Sequence, residues 1–230
     1  MAATRNIYDS AESYLLIGGN QGSLFRLDDP QNVDNLTPIR EISPTQENVG
    51  TVSGIAIHPT NNDIVMVTYS NYGLVNIFIT NNATDDTPVW NAVERNLNTF
   101  SIRSAAITLS GSDTIYFIGT ARGLYSSTDP TSIDWQIESP DQIGFAVVSA
   151  LAYKTSNNKL LVGTHGNGMY EATLEAVIAP EEPEPITTEL FAWPVPAEDR
   201  LNIVIGNAFE DDQFDYEPVS YTHLTLPTKA

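Results

Sequence analysis

The chain has 230 residues, of which 41% are hydrophobic, and it contains no cysteine. Its 10 basic and 29 acidic residues give a formal net charge of −19. This charge argues against a nucleic-acid partner, because such a surface repels phosphate backbones. The lack of cysteine excludes disulfides, thiolate metal sites and thiol nucleophiles. No run of about 18 apolar residues is present, so no membrane insertion is predicted.

A short unit of two β-rich runs joined by a glycine turn occurs four times along the chain. Its clearest copy extends from Phe117 to Ser127 and has Gly119 and Gly123 at the two ends of its turn. Glycine suits both positions, since such turns require a positive φ. The closing glycines of the four copies, which are 51, 50 and 45 residues apart, are Gly22, Gly73, Gly123 and Gly168. Self-similarity at this period indicates a repeat architecture.

The repeats contain short strands separated by turn residues, and none shows sustained helical periodicity. The predicted strands are 14–17, 24–27 and 39–42 in the first repeat, 52–57, 64–69, 74–79 and 89–93 in the second, 102–109, 115–118, 124–127 and 135–137 in the third, and 147–153, 160–162 and 169–172 in the fourth. Four short antiparallel strands per repeat are typical of a β-propeller blade. We therefore predict an all-β chain with a partial β-propeller of about three and a half four-stranded blades over residues 10–175. A two-sheet sandwich of unrelated hairpins is the alternative.

Two tryptophans, Trp90 and Trp135, each follow a polar loop after the third strand of a repeat. Their loops resemble the Asp box, Ser-x-Asp-x-Gly-x-x-Trp, of the sialidase-like, sortilin-like and xyloglucanase-like propellers. Ser127, Asp129 and Trp135 match that motif, although both loops lack its glycine and are longer. The resemblance implies structural roles, in which the Asp129 carboxylate binds turn amides and the tryptophan packs between blades.

After residue 176 the composition changes, which predicts a Pro/Glu linker over 176–187 and a new domain over 188–218. The opening of this domain resembles the C-terminal sorting domain of type IX secretion, a small β-sandwich-like domain. The residues that carry the resemblance are Pro194, Pro196, Ala197, Leu201 and Ile203, with Val195 in place of the usual asparagine. The resemblance implies the type IX secretion machinery as a partner. It also implies a secreted protein or one on the outer-membrane surface of a Gram-negative bacterium. An ordinary two-stranded module with a proline-rich entry is the alternative.

Residues 219–230 resemble a translated sequencing-library adapter and are predicted to be a non-native tail. The alternative is a genuine terminal strand with His223 as a site residue. On the first interpretation, the sorting domain is cut off at about Pro218. The start of the chain has no apolar signal segment, and propellers need ~4–8 blades to close. We therefore expect the chain to be a piece of a longer protein.

Catalytic patterns are weak in this sequence. Six arginines occur in the repeats, but none lies in the Arg-Ile-Pro motif that opens the sialidase family: Arg5, Arg26, Arg40, Arg95, Arg103 and Arg122. A glycoside hydrolase needs two converging carboxylates. The available aspartates all lie in turns, where aspartate is favoured for local amide bonding: Asp63, Asp85, Asp86, Asp113, Asp129 and Asp141. His165 has no partners at metal-ligand spacing, and the chain has no calcium loop of the Asp-x-Asp-x-Asp-Gly type. The sequence predicts no metal and no cofactor.

Four residues on the turns between strands are candidates for ligand binding: Tyr69, Tyr72, Arg122 and His165. In a propeller such turns cluster on one face, where aromatic and arginine side chains can bind a glycan or a protein. The leading hypothesis is a glycan- or protein-binding adhesion module. One alternative is a glycoside hydrolase with some of its catalytic carboxylates in missing blades. Another is a purely structural blade array within a larger surface protein.

Overall fold

The structure, a computed structural model, describes residues 1–44, 50–174, 190–193 and 202–205. The chain divides into two compact units, Met1–Val177 and Ile178–Ala230. Apart from two short 3-10 turns, the regular structure of the described residues consists of strands. No helix in these ranges is long and apolar enough to cross a membrane.

The first unit consists of four antiparallel sheets, each of which is a meander of consecutive strands. Sheet 1 contains β1 (Ala2–Ala3), β2 (Tyr14–Gly18), β3 (Leu24–Asp28) and β4 (Arg40–Glu41). Sheet 2 contains β5 (Val52–Ile57), β6 (Val65–Tyr69), β7 (Ile77–Thr80) and β8 (Asn91–Ala92). Sheet 3 contains β9 (Ile102–Ser110), β10 (Asp113–Thr120), β11 (Gly123–Ser127) and β12 (Gln136–Glu138). Sheet 4 contains β13 (Val147–Lys154), β14 (Lys159–His165) and β15 (Met169–Thr173). The arrangement confirms the predicted fold class, with three four-stranded blades and one blade of three described strands.

The first strand of sheet 1 was absent from the sequence prediction. The two residues of β1 pair with β2, with Ala2 opposite Leu16 and Ala3 opposite Leu15. Two residues are too few to show the alternation that marks a strand, so only the pairing reveals it. Sheet 1 is therefore a complete blade that begins before residue 10.

Side chains of the second strand in a sheet alternate between the two neighbouring sheets. In β6, Val65 and Val67 pack in the core cluster shared with sheet 1, whereas Met66 packs in the cluster shared with sheet 3. In β10, Ile118 faces sheet 2 and Phe117 faces sheet 4. Since successive side chains point to opposite faces of a strand, a strand covered on both sides is apolar throughout. All five residues of β6 are buried for this reason.

Glycine is required in the repeat for two different structural reasons. The four closing glycines, Gly22, Gly73, Gly123 and Gly168, have φ values of 78°, 75°, 105° and 77°, as predicted. The expectation of a positive φ at Gly119 is wrong. A Cβ at Gly119 would lie 2.6 Å from the Val148 backbone oxygen of sheet 4, so glycine is needed there because the sheets approach closely.

The second unit is described over two strands, β16 (Leu190–Trp193) and β17 (Asn202–Ile205), which form an antiparallel pair. Ile203 of the sorting motif lies opposite Ala192 in this pair. The other motif residues lie outside the described ranges, as do the predicted linker and tail: Pro194, Pro196, Ala197, Leu201, 176–187 and 219–230. The sorting-domain, linker and tail interpretations remain predictions.

Candidate functional site

The turns between the second and third strands of the sheets share one face with the connections from one sheet to the next. Backbone hydrogen bonds join these segments: Ser70 N donates to Thr51 O at 3.1 Å, and Gly123 N donates to Ala146 O at 3.0 Å. The same arrangement recurs from sheet to sheet, and we call the resulting surface the loop face. It comprises the turns 19–23, 70–76, 121–122 and 166–168 and the described connections 42–44, 50–51, 93–101 and 139–146.

Arg122 lies between two aromatic rings on the loop face. Its guanidinium carbon is 5.8 Å from the ring centroid of Phe100 and 5.7 Å from that of Phe145. These distances allow cation–π attraction to both rings, worth roughly 0.5–1 kcal/mol each at an exposed site. The Arg122 backbone N–H donates to Thr120 Oγ1 at 2.9 Å, which fixes the turn. No ion pair of Arg122 with a carboxylate is found among the described residues. We call Phe100, Arg122 and Phe145 the arginine stack.

Two other predicted residues lie exposed on neighbouring blades. Tyr72 is 75% exposed in the turn of sheet 2. His165 is exposed at the end of β14, opposite Val147, and Met169, which begins the next strand, is 75% exposed. The loop face therefore presents aromatic, sulfur-containing and cationic side chains on three successive blades.

Tyr69 does not belong to this surface, which corrects the prediction that it contacts a ligand. Its side chain has no exposed area. The hydroxyl donates to Gly22 O at 3.1 Å, and the ring meets Phe78 edge to face with centroids 6.0 Å apart. Burial raises the pKa of Tyr69, so the phenol stays protonated and joins the turn of sheet 1 to sheet 2.

Neither phenylalanine of the arginine stack was predicted from the sequence. Phe145 is 69% exposed, although a phenylalanine between Gly144 and Ala146 gives no signal that separates a surface ring from a core ring. Its relation to Arg122 comes from the bond between Gly123 and Ala146, which brings a turn and a connection together. Only the three-dimensional pairing of these segments shows the site.

The Asp-box-like loop of sheet 3 holds its aspartate and tryptophan in fixed positions. Asp129 Oδ1 accepts from the Thr131 backbone N–H at 3.1 Å, and the hydroxyls of Thr131 and Ser132 also donate to its carboxylate. Hydrogen bonds from the Ser132 and Thr131 hydroxyls lower the pKa of Asp129. Ser127 Oγ donates to Ile133 O at 3.4 Å across the base of the loop. These contacts are local, and they place Asp129 in a turn rather than in a cleft.

Trp90 and Trp135 take equivalent positions in two successive junctions between sheets. Trp135 Nε1 donates to Val93 O at 2.9 Å, and Trp90 Nε1 donates to Ile42 O at 2.8 Å. Both acceptors directly follow the last strand of the preceding sheet. Trp135 is only 1% exposed, whereas Trp90 is partly buried and borders a cavity of about 360 Å³.

The candidate aspartates lie mainly in local turn contacts or surface ion pairs. Asp63 Oδ1 accepts from Thr84 N at 3.2 Å, Asp85 Oδ2 accepts from Asn82 Nδ2 at 2.8 Å, and Asp86 pairs with Arg40. Asp113 begins β10, and Asp141 is exposed in the connection to sheet 4. Within the described ranges, no group of three or more histidine, aspartate and glutamate side chains is placed to hold a metal ion.

One carboxylate of the loop face is buried and was not predicted. Glu94 is 7% exposed, and its Oε1 accepts from the Asn76 backbone N–H at 3.0 Å. Burial raises the pKa of Glu94, while hydrogen bonds from Asn76 act in the opposite direction. This contact ties the turn of sheet 2 to the following connection, so we assign Glu94 a structural role.

No protein-family model matches the chain, and no curated protein matches it. Solved structures resemble the chain at low sequence identity. A crystal structure of an ancestral GH74 enzyme has 17% identity and a TM-score of 0.50, over 78% of this chain and 24% of that chain. The GH74 enzyme of Niastella koreensis has 17% identity and a TM-score of 0.49, over 76% of this chain and 28% of that chain.

A gluconolactonase of Xanthomonas campestris has 14% identity and a TM-score of 0.47, over 66% of this chain and 44% of that chain. The chain thus spans less than half the length of each of these three structures. At such identities the likeness concerns the fold alone. The likeness to the ancestral GH74 enzyme, together with the four antiparallel sheets, supports the conclusion that the first unit is an array of β-propeller blades.

Proposed function

We propose that this chain belongs to an exported binding module, which recognises a glycan or a protein through the loop face. The observation that carries the proposal is the arginine stack, in which Arg122 lies between Phe100 and the exposed Phe145. Aromatic and arginine side chains are enriched at interaction sites, because they combine apolar contact area with directional hydrogen bonds. Tyr72 and His165 extend this surface to the neighbouring blades.

The stack is suited to recognition rather than to catalysis. The two rings hold the guanidinium in place, so less conformational entropy is lost when its N–H groups bind a partner. No carboxylate partner of Arg122 is found among the described residues, so its guanidinium offers an acidic or hydroxyl-rich partner a point of attachment. Export by type IX secretion is part of the proposal and rests on the motif from Pro194 to Ile203.

The second candidate function is glycoside hydrolysis, and one observation supports it. Glu41 and Asp86 line the same cavity beside Trp90, and a glycosidase uses a pair of carboxylates. Asp86, however, pairs with Arg40, and Glu41 accepts from Ser43 Oγ at 2.9 Å. Both carboxylates thus have positioning partners, which favours binding over proton transfer. Two results together would support the hydrolase: the parent chain releases reducing sugar from polysaccharides, and Glu41→Gln abolishes this activity.

The binding proposal is tested by immobilising the full chain against a glycan array and against extracted cell-surface proteins. Arg122→Ala and Phe145→Ala are each expected to weaken binding about tenfold or more, since each removes a contact at the centre of the stack. Arg103→Ala, at an exposed arginine on β9, is the matched control and should bind as the parent does. Unchanged binding by Arg122→Ala, or no ligand at all, would overturn the proposal.

A further inference from the structure

The two tryptophan junctions differ in what covers the ring. At Trp135 the side-chain amide of Asn96 makes two hydrogen bonds, accepting from Trp135 N and donating to Trp135 O, both at 2.9 Å. Leu97, in the same 3-10 turn, has no exposed area. This turn closes the junction between sheets 2 and 3. At the other junction, Trp90 and the described residues around it border a cavity of about 360 Å³.

The size and lining of this cavity fit a small ligand. Its volume lies within the range of roughly 300–1,000 Å³ that is usual for small-molecule sites. Trp90 and Phe78 provide aromatic surface, and polar groups lie around them on two different sheets. These polar residues are Glu41, Ser43, Asp86 and Thr87.

We infer that the cavity at Trp90 is a binding site for a neutral sugar residue of an oligosaccharide. A pyranose ring has apolar C–H faces that pack on aromatic rings, and it carries several hydroxyl groups that donate hydrogen bonds. Carboxylates accept such hydrogen bonds without needing a proton of their own, and hydrogen bonds to charged groups are the stronger ones. The carboxylates of Glu41 and Asp86 also disfavour an anionic ligand.

The polar groups of the cavity are held before any ligand arrives. Arg40 forms an ion pair with Asp86, which neutralises part of the negative charge and orients the carboxylate. Ser43 Oγ donates to Glu41 Oε1 at 2.9 Å and accepts from Leu24 N at 2.8 Å. The indole of Trp90 is fixed by its bond to Ile42 O. Such preorganisation reduces the entropy lost on binding.

This site lies between the outer strands of sheets 1 and 2 and contains no residue of the arginine stack. The inference therefore goes beyond the arginine stack, on which the proposed function rests, and can fail independently of it. Substitutions at Arg122 should leave the cavity unaffected, and substitutions at Asp86 should leave the arginine stack unaffected.

The test is a calorimetric titration of the full chain with cellotetraose, xylotetraose and mannotetraose, accompanied by tryptophan emission. We expect at least one of these neutral probes to bind and to shift the emission. Asp86→Ala should weaken that binding about tenfold or more, because a hydrogen bond to a charged acceptor is lost. The side chain of Asp86 is 84% exposed, so this variant is expected to fold. Trp90→Phe should weaken binding and remove the change in emission.

The matched control is Asp134→Ala, since Asp134 forms the equivalent exposed ion pair with Arg95 beside the closed junction. This variant and Arg122→Ala should bind the probe as the parent chain does. The inference is overturned if no neutral probe binds at millimolar concentration. It is also overturned if Asp86→Ala binds unchanged, or if a cationic probe such as tetramethylammonium binds where the sugars do not.

Discussion

The junction between sheets 2 and 3 and the junction between sheets 1 and 2 are built around the same tryptophan position. In both, the indole N–H donates to a backbone oxygen just after the last strand of the preceding sheet. Yet Trp135 is almost fully buried, and Trp90 borders a cavity. The repeat therefore determines where the tryptophan lies, whereas the exposure of its ring differs between the two junctions.

The described residues that follow the two acceptor carbonyls also differ. Val93 is followed by Glu94, Arg95 and Asn96, and the asparagine amide supplies both a donor and an acceptor for the Trp135 backbone. Ile42 is followed by Ser43 and Pro44. Proline has no N–H to donate, and the Ser43 hydroxyl is already bonded to Leu24 N and Glu41. The described residues thus show a side-chain cover at Trp135, and at Trp90 they border a cavity.

The largest expected effect that tests this comparison comes from removing the two rings. Trp135→Ala should lower the free energy of unfolding by about 3–5 kcal/mol, because a large buried side chain is replaced by a cavity. Trp90→Ala should cost at most about 2 kcal/mol, since its ring is only partly buried. Urea denaturation of both variants measures the difference. Equal losses of unfolding free energy would mean that the two tryptophan rings contribute equally to stability, which would contradict the comparison.

A smaller effect is expected at the glycines that let the sheets approach. A Cβ at Gly54 would lie 2.9 Å from the backbone nitrogen of Ala105, in sheet 3. Gly54→Ala should therefore destabilise the chain by about 1–3 kcal/mol, because backbone cannot move aside. A Cβ at Gly18 would meet the side chain of Val52, which lies in sheet 2 and is partly exposed. Gly18→Ala should cost less in the same denaturation experiment, and the reverse order would contradict this view of the packing.

Opening the closed junction directly should have a moderate effect. Asn96→Ala removes both hydrogen bonds to the Trp135 backbone and should cost about 1–2 kcal/mol. The side chain is exposed, so no core packing is lost. Tryptophan emission of this variant should shift to longer wavelength as water reaches the ring. An unshifted spectrum together with unchanged stability would show that Asn96 does not cover the junction.

The blades were predictable from the sequence because their causes are local. A turn glycine with a positive φ, such as Gly73, can be recognised from the few residues around it. The same holds for an apolar strand, such as the one that contains Val65. The loop-face site was only partly predictable. Arg122 and Tyr72 lie on turns that the repeat identifies, but Tyr69 on the same pattern is core, because its side chain points toward Gly22 of the preceding sheet.

Contacts between sheets explain what the sequence could not show. Phe145 lies close to Arg122 because the connection before sheet 4 is hydrogen-bonded to the turn of sheet 3. In the sequence, the whole of β11 and β12 separates the two residues. The cavity at Trp90 is lined by residues of two different sheets, and no motif within one repeat predicts such a lining. Hydrophobic periodicity predicts the strands of one repeat, whereas the candidate binding sites form where segments of different repeats come into contact.

The smallest expected effect is a pH dependence confined to the closed junction. His58 Nε2 lies 2.9 Å from Thr114 Oγ1 in sheet 3, and its Nδ1 accepts from the backbone N–H groups of Thr60 at 3.2 Å and Asn61 at 3.0 Å. Nδ1 must therefore be unprotonated, so the ring is neutral and Nε2 carries the proton that is donated to Thr114. Burial lowers the pKa of His58 in the folded chain.

The sign of the effect follows from this direction. The unfolded chain has a histidine pKa of about 6.5, so it binds a proton in a range where folded His58 does not. The contribution of His58 to stability is thus present above pH of about 6.5 and is lost as the pH falls toward the lowered folded pKa. Urea denaturation at several pH values should show this decline in the parent and a flatter profile in His58→Gln. His165→Gln, at the exposed histidine of sheet 4, is the control and should keep the parent profile. A parent-like decline in His58→Gln would mean that the bridge between sheets 2 and 3 does not depend on a neutral imidazole.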